Sequence, residues 1–117
     1  MKKLILTKDK FKAIIQVIDC IRFQLLQNKI NLKDWPLAVT NAHLFVLDDL
    51  SRRMRSKLPM MEDKPGNKVV RYEINAIQAL VLVSYDDLVK PSSAGMDPFA
   101  YSIFKEISGT IFQKLLS

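Results

Sequence analysis

The sequence predicts a mostly α-helical, single-domain protein of four helices, with two short segments that favour β-strands. Apolar residues recur at helical spacing along most of the chain, and an Asp followed closely by a Pro marks two helix starts, at Asp34 and Asp97. The 117 residues include only 3 Gly and 5 Pro, so neither disorder nor a loop-rich fold is expected. A chain of this length can bury one hydrophobic core, so residues 1–117 are predicted to form one domain.

The first predicted elements are a strand over residues 3–7 and a helix over residues 9–27. The strand segment, "KLILT", is short and β-rich. Thr7 is a suitable N-cap for the helix, because its hydroxyl can accept a hydrogen bond from an unpaired amide of the first turn. The helix itself is indicated by one apolar stripe at three- and four-residue spacing, formed by Phe11, Ile14, Ile15, Ile18, Ile21 and Leu25.

The second predicted helix begins at Asp34 and Pro36 and continues to about Lys57. Asp can cap the first turn, and proline is tolerated there because its missing N–H would be unpaired in any case. Pro59 ends the helix, since proline disfavours helical geometry in the residue before it. The turn over residues 62–68, "EDKPGNK", then divides the chain into two halves.

The second half begins with a predicted strand over residues 68–72, "KVVRY". Residues 74–89 are apolar almost all the way round at helical length, which predicts a helix in the centre of the fold. An alternative interpretation makes residues 79–85, "ALVLVSY", a buried strand, because periodicity alone does not separate a short β-branched strand from a helix.

The last predicted helix runs from Pro98 to about Leu116. Asp97 is placed to cap it directly before a proline at the first helical position. Apolar residues at four-residue steps predict that one side of this helix packs against the core: Phe99, Ile103, Ile107, Ile111 and Leu115.

The two halves share a layout that suggests an internal duplication of a strand-helix-helix unit. Ala13 corresponds to Ala76 and Asp34 to Asp97, which sets a period of 63 residues. A duplication would produce a pseudo-twofold domain whose two strands pair across the axis. The alternative interpretation is a plain four-helix bundle, since any four-helix chain with proline-started helices shows part of this pattern.

Composition excludes several classes of protein. The longest nearly uncharged stretch, residues 74–85, is too short to cross a bilayer, and lysines interrupt any signal-peptide core near the N-terminus. Cys20 is the only cysteine, so no intrachain disulfide can form and a reducing cytoplasm is expected. Cys20 itself is interpreted as a residue that fills the core.

The net charge of +6 makes nucleic-acid binding an alternative function. Residues 1–36 carry eight Lys and Arg against three Asp, so the excess is N-terminal. The arginines of the second helix have another interpretation as helix-end charges, with Asp48 and Asp49 each four residues before an arginine. The candidate phosphate-binding residues are Lys2, Lys3, Lys8, Lys10, Lys12, Arg55 and Lys57.

Catalysis has no positive signal in the sequence. His43 is the only histidine and shares a helix face with Val39 and Val46, which favours a structural, hydrogen-bonded role. One Cys and one His do not make a recognisable metal site, and no glycine lies in a phosphate-cradling loop. We therefore predict no cofactor, and we keep a small ligand-binding protein or enzyme as the second alternative.

The function that the sequence favours is a noncatalytic interaction or oligomerisation module. Phe23 projects from the polar side of the first helix, so another segment or a partner should cover it. Methionines provide adaptable apolar surface, and a tryptophan beside a proline can act as an anchor. The candidate partner-binding residues are Phe23, Trp35, Met54, Met60 and Met61.

Overall fold

A computed structural model describes residues 2–27, 37–86 and 97–116, and within them the mostly α-helical prediction is confirmed. The described residues form four α-helices, one 3₁₀ turn at Leu58–Met60 and a two-stranded antiparallel sheet. In chain order the elements are β1 (Lys2–Thr7), α1 (Lys8–Leu26), α2 (Leu37–Arg55), β2 (Val69–Ile74), α3 (Ala76–Ser84) and α4 (Pro98–Leu116).

The predicted element boundaries hold to within a few residues wherever the structure describes them. The predicted start of the second helix at Asp34 and Pro36 lies outside the described residues, and so does the predicted third helix beyond residue 86. The alternative strand over residues 79–85 is wrong, because those residues continue α3 to Ser84 and the turn after it. A capping box explains the helix start: the Asn75 side chain accepts from the Gln78 amide at 2.7 Å, and the Gln78 side chain accepts from the Asn75 amide at 3.0 Å.

The sheet buries one face against the helices. Its register runs from Lys2 opposite Ile74 to Thr7 opposite Val69. Leu4, Leu6 and Ile74 are buried on the inner face, as expected where alternate residues point to opposite sides of a strand. The Tyr72 ring also points inward, with its centroid 5.6 Å from that of Phe11 in an edge-to-face contact.

Helix α1 is the most deeply buried helix of the described structure, although the sequence predicted that the third helix would be central. α1 packs against α2, α4 and both strands. By contrast, α3 leaves two large apolar side chains, Ile77 and Leu80, more than half exposed. Buried side chains from both halves of the chain form one hydrophobic cluster.

The first turn of α1 is tied to the turn that divides the chain. The Lys8 amide donates to the Lys68 carbonyl at 2.8 Å, and the Asp9 amide donates to the Gly66 carbonyl at 3.1 Å. In the other direction, the Lys8 ammonium donates to the carbonyls of Glu62 and Lys64. We call these four hydrogen bonds the Lys8 clamp. It satisfies amides that a helix N-terminus otherwise leaves unpaired, and it holds together segments that are far apart in sequence.

The order strand-helix-helix occurs twice, and details of the structure support a pseudo-twofold relation between the two halves. The N-caps Thr7 and Asn75 occupy equivalent positions in the two halves. Leu4 and Tyr72, which pair near the middle of the sheet, are separated by the same number of residues as these two caps. Buried positions follow this offset: Phe11, Ala13, Ile14 and Val17 correspond to Ala79, Val81, Leu82 and Tyr85.

The second helix of each half shows the same correspondence. The buried positions Leu47, Leu50, Ser51 and Met54 of α2 match Phe104, Ile107, Ser108 and Ile111 of α4. The predicted pairing of Ala13 with Ala76 does not fit, because Ala76 is the first residue of α3 and corresponds to Lys8. The repeated layout is therefore present, but a single 63-residue period does not align its elements.

We expect loss of the Lys8 ammonium to weaken the fold. Lys8→Met keeps most of the apolar stem but removes the charged donor from two carbonyls, which should lower the free energy of unfolding by about 1–3 kcal/mol. Urea denaturation would measure this change. Lys12→Met, one turn further along α1 at an exposed position, is the matched control and should change stability by less than about 0.5 kcal/mol. Equal losses in the two variants would contradict a structural role for Lys8.

Candidate functional site

An open apolar groove lies between α2 and α3, and we call it the α2–α3 groove. Its volume is about 560 Å³. The lining side chains follow the spacing i, i+3, i+4, i+7 on each helix, which places four neighbours on one helical face. They are Val39, Ala42, His43 and Val46 from α2, and Ile77, Leu80, Val81 and Ser84 from α3.

The groove exposes large apolar side chains to solvent. Ile77 is 62% exposed and Leu80 is 57% exposed, and Val39 on the facing helix is 38% exposed. Single exposed apolar residues are common on protein surfaces, whereas a contiguous apolar patch is typical of a binding surface. None of the lining residues that the structure describes is charged.

A histidine–tyrosine pair forms the polar part of the site. His43 Nδ1 lies 2.9 Å from the Tyr85 hydroxyl, and the two rings meet edge to face at a centroid distance of 5.6 Å. Burial lowers the pKa of His43 below its ordinary value of 6.5. Burial likewise raises the pKa of Tyr85 to about 12. Both groups are therefore neutral at neutral pH, which agrees with the predicted structural role of His43.

The internal repeat provides a comparison surface for the groove. The positions on α1 that correspond to Ile77, Leu80 and Ser84 on α3 are Asp9, Lys12 and Gln16, and all three are exposed. The same positions of the repeated helix are thus polar in one half of the chain and apolar in the other. The repeat by itself therefore does not account for the apolar side chains of α3 at these positions.

The predicted partner-binding residues fall into different environments. Met54 is 1% exposed and Met61 is also buried, so their prediction as a surface is wrong: both fill the core behind the end of α2. Met60 is 68% exposed on the 3₁₀ turn. Trp35 lies outside the described residues. Phe23 is 54% exposed.

Phe23 lines a second cleft, beside the polar side of α1. This cleft has a volume of about 350 Å³ and brings Phe23 close to Lys12, Arg55 and Leu58. It therefore combines a candidate from the protein-binding prediction with two candidates from the nucleic-acid prediction. Asp19 also lines it, so its charge is mixed.

The predicted phosphate-binding residues do not form a single unpaired basic face in the described structure. Lys8 is buried in the Lys8 clamp, so its assignment as a surface cation is wrong. Lys10 Nζ lies 2.9 Å from a Glu106 carboxylate oxygen, and Lys3 Nζ lies 3.8 Å from one of Glu73. Lys12 and Lys57 are exposed. The side chain of Lys2 lies outside the described part of the chain.

The arginines of α2 are engaged in ion pairs. Asp49 accepts from Arg53 at 2.8 Å, which confirms one predicted helical pair, and from Arg52 at 2.6 Å. The predicted pair of Asp48 with Arg52 is wrong, because Asp48 binds Arg22 on α1. These contacts neutralise much of the basic cluster.

Asp19 connects α1 to α2 near the second cleft. Ser51 donates to it at 2.7 Å, Arg22 donates at 3.0 Å, and Arg55 also pairs with it. Burial by itself raises the pKa of Asp19, but the hydrogen bonds from Ser51, Arg55 and Arg22 outweigh burial and hold that pKa below its ordinary value of 3.8. Arg55 is thus part of an ion-pair network between α1 and α2.

Searches of the described structure and of known proteins added no further site. Within residues 2–27, 37–86 and 97–116, no helix is both long enough and apolar enough to cross a membrane. In the same residues, no three His, Cys, Asp or Glu side chains cluster as metal ligands would. Comparisons of the chain with protein-family models, with curated protein sequences and with solved structures found no match.

The sequence does not predict the groove, although it contains part of the signal. It places His43 on one helix face with Val39 and Val46, and it indicates that the third helix is apolar almost all the way round. It does not indicate where α3 packs. A helix with no polar face was expected in the centre, whereas α3 packs on α2 and α4 and exposes Ile77 and Leu80.

Truncating Met54 should destabilise the protein, whereas truncating Met60 should not. Met54→Ala leaves a cavity in the core and should lower the free energy of unfolding by about 2–4 kcal/mol. Met60→Ala removes an exposed side chain, so the change should stay within about 0.5 kcal/mol. Thermal and urea unfolding of the two variants would measure the difference. A large loss in Met60→Ala would show that this side chain is packed.

His43 should titrate below pH 6.5 in the folded protein. Because its folded pKa is lowered, the unfolded chain binds the proton more readily, so stability falls as the pH drops below about 6.5. His43 is the only histidine, so one imidazole resonance in an NMR titration reports its pKa directly. This part of the pH dependence should disappear in His43→Gln. A midpoint at or above 6.5 would contradict the burial of the ring.

Proposed function

We propose that this protein is a noncatalytic interaction module that binds a protein partner through the α2–α3 groove. The observation that carries the proposal is the contrast between the two halves. Ile77 and Leu80 occupy positions where the equivalent half carries Asp9 and Lys12. Exposed apolar side chains gathered along one groove are typical of a surface that a partner covers.

The chemistry of the groove favours recognition over catalysis. His43 is the one titratable side chain among the lining residues that the structure describes, and its hydrogen-bond partner Tyr85 has a pKa of about 12. A general base acts together with other positioned polar groups, and apart from Ser84 the other lining residues that the structure describes are apolar. The groove is open along its length, which suits a helix or another protein surface.

The location of the cations gives less support to the nucleic-acid alternative. Of its candidate residues, Lys8, Lys10 and Arg55 make intramolecular contacts that use their charge. A phosphate would have to compete with carboxylates and carbonyls already in place. The cations that remain exposed, such as Lys12 and Lys57, lie outside the α2–α3 groove.

Site-specific photo-crosslinking tests the proposed function. A benzophenone amino acid replaces Leu80 in one variant and Lys12, its counterpart on α1, in the matched control, and both variants are irradiated in cells of the native host. We expect a discrete crosslinked protein band from position 80, because a bound partner covers that side chain. Position 12 should not produce the same band.

Two results would contradict the proposal. No crosslinked protein from position 80 would mean that the groove stays uncovered in the cell. A band from position 12 alone would instead point to the cleft beside Phe23, since Lys12 lines that cleft.

A further inference from the structure

We infer that the partner seated on the α2–α3 groove is a second copy of this chain, in a closed twofold dimer. This inference rests on the proposed function and adds the identity of the partner. It follows from the shape of the groove, from its charge and from the way its polar groups are already satisfied.

The shape of the two groove walls favours packing against a second copy. Each wall is a helical face with the spacing i, i+3, i+4, i+7, contributed by the groove residues of α2 and of α3. Two neighbouring helices with such faces offer half of a four-helix packing layer. A second copy supplies the other half with the same two helices, so the surface complements itself.

The charge of the groove also favours a second copy as the partner, in a chain whose net charge is +6. A twofold interface places one patch against an identical patch, so any net charge in that patch meets its own sign. The described lining residues of the groove carry no charge, whereas the corresponding positions of the repeated helix α1 carry Asp9 and Lys12. A basic protein that recognised an acidic partner here would be expected to place cations in the groove. An uncharged groove instead suits contact with itself.

Two polar groups of the described groove lining are already hydrogen-bonded within the chain. The Ser84 hydroxyl donates to the Val81 carbonyl at 2.6 Å, and His43 Nδ1 is paired with the Tyr85 hydroxyl. Burying a polar group is costly mainly when it loses a hydrogen bond to water without replacement. These groups keep their intramolecular bonds when a second apolar surface covers them.

Light scattering coupled to size-exclusion chromatography, run from about 1 to about 200 µM protein, tests the inference. The wild-type chain should shift with concentration from the monomer mass to twice that mass. The variant Ile77→Asp/Leu80→Lys carries the residues found at the equivalent positions of α1. It should dimerise at least about 100-fold more weakly, because each substitution occurs twice in the dimer. Phe112→Lys, at a half-exposed apolar position of α4, is the control and should dimerise like the wild type.

A second variant and a second readout cover the case in which the double variant does not fold. Leu80→Lys alone changes one exposed side chain, and its circular dichroism melting curve should match that of the wild type at a concentration low enough for both chains to be monomeric. In dilution experiments by ¹H–¹⁵N NMR, the resonances that move with concentration should be those of α2 and α3, including Ile77 and Leu80.

Each result separates this inference from the proposed function. A wild-type chain that stays monomeric at the highest concentration overturns the dimer, and so does a folded Leu80→Lys variant that dimerises as well as the wild type. If crosslinking at position 80 then captures a different protein, the proposed function stands and only the identity of the partner fails. If neither experiment finds a partner, both fail.

Discussion

The Lys8 clamp is the contact on which the arrangement of the two halves depends. The first amides of α1 donate to the turn before β2, and the Lys8 ammonium donates back to carbonyls of the same turn. The clamp therefore fixes where β2 begins relative to β1, and with it the register from Lys2–Ile74 to Thr7–Val69. In a two-stranded sheet this matters, because an isolated pair of strands is marginal without support from packed helices.

The two halves share the strand-helix-helix layout but differ in how they pack. α1 buries ten residues and packs on α2, α4 and the sheet, whereas the shorter α3 keeps apolar side chains on its outer side. The α1 face equivalent to the groove carries Asp9, Lys12 and Gln16 and meets solvent. The two halves can therefore be compared position by position. Positions of the repeated helix that are polar on α1 are apolar on α3.

Several charged side chains of the described residues form ion pairs within the molecule. Asp19 joins Ser51, Arg22 and Arg55 into one network between α1 and α2, and Asp49 holds two further arginines. Ion pairs of this kind are worth little individually when exposed, but a network on a half-buried carboxylate fixes the relation of two helices. These arginines are engaged in ion pairs. The α2–α3 groove, whose described lining residues are uncharged, is therefore a more distinctive surface than the basic cluster of α2.

The sequence predicts four helices and two strands and identifies Thr7 as the cap of α1, because these features depend on residues that are close together in the chain. It leaves open whether residues 79–85 form a helix or a strand, and it does not identify Asn75 as the cap of α3. It did not determine which helix lies in the centre, or that Lys8 and Met54 are buried while Ile77 and Leu80 are exposed. Hydropathy assigns a preference to each residue, but burial depends on what packs against it, and those neighbours come from distant parts of the chain. Folding brings these neighbours together, so the α2–α3 groove is seen in the fold and not in the sequence pattern.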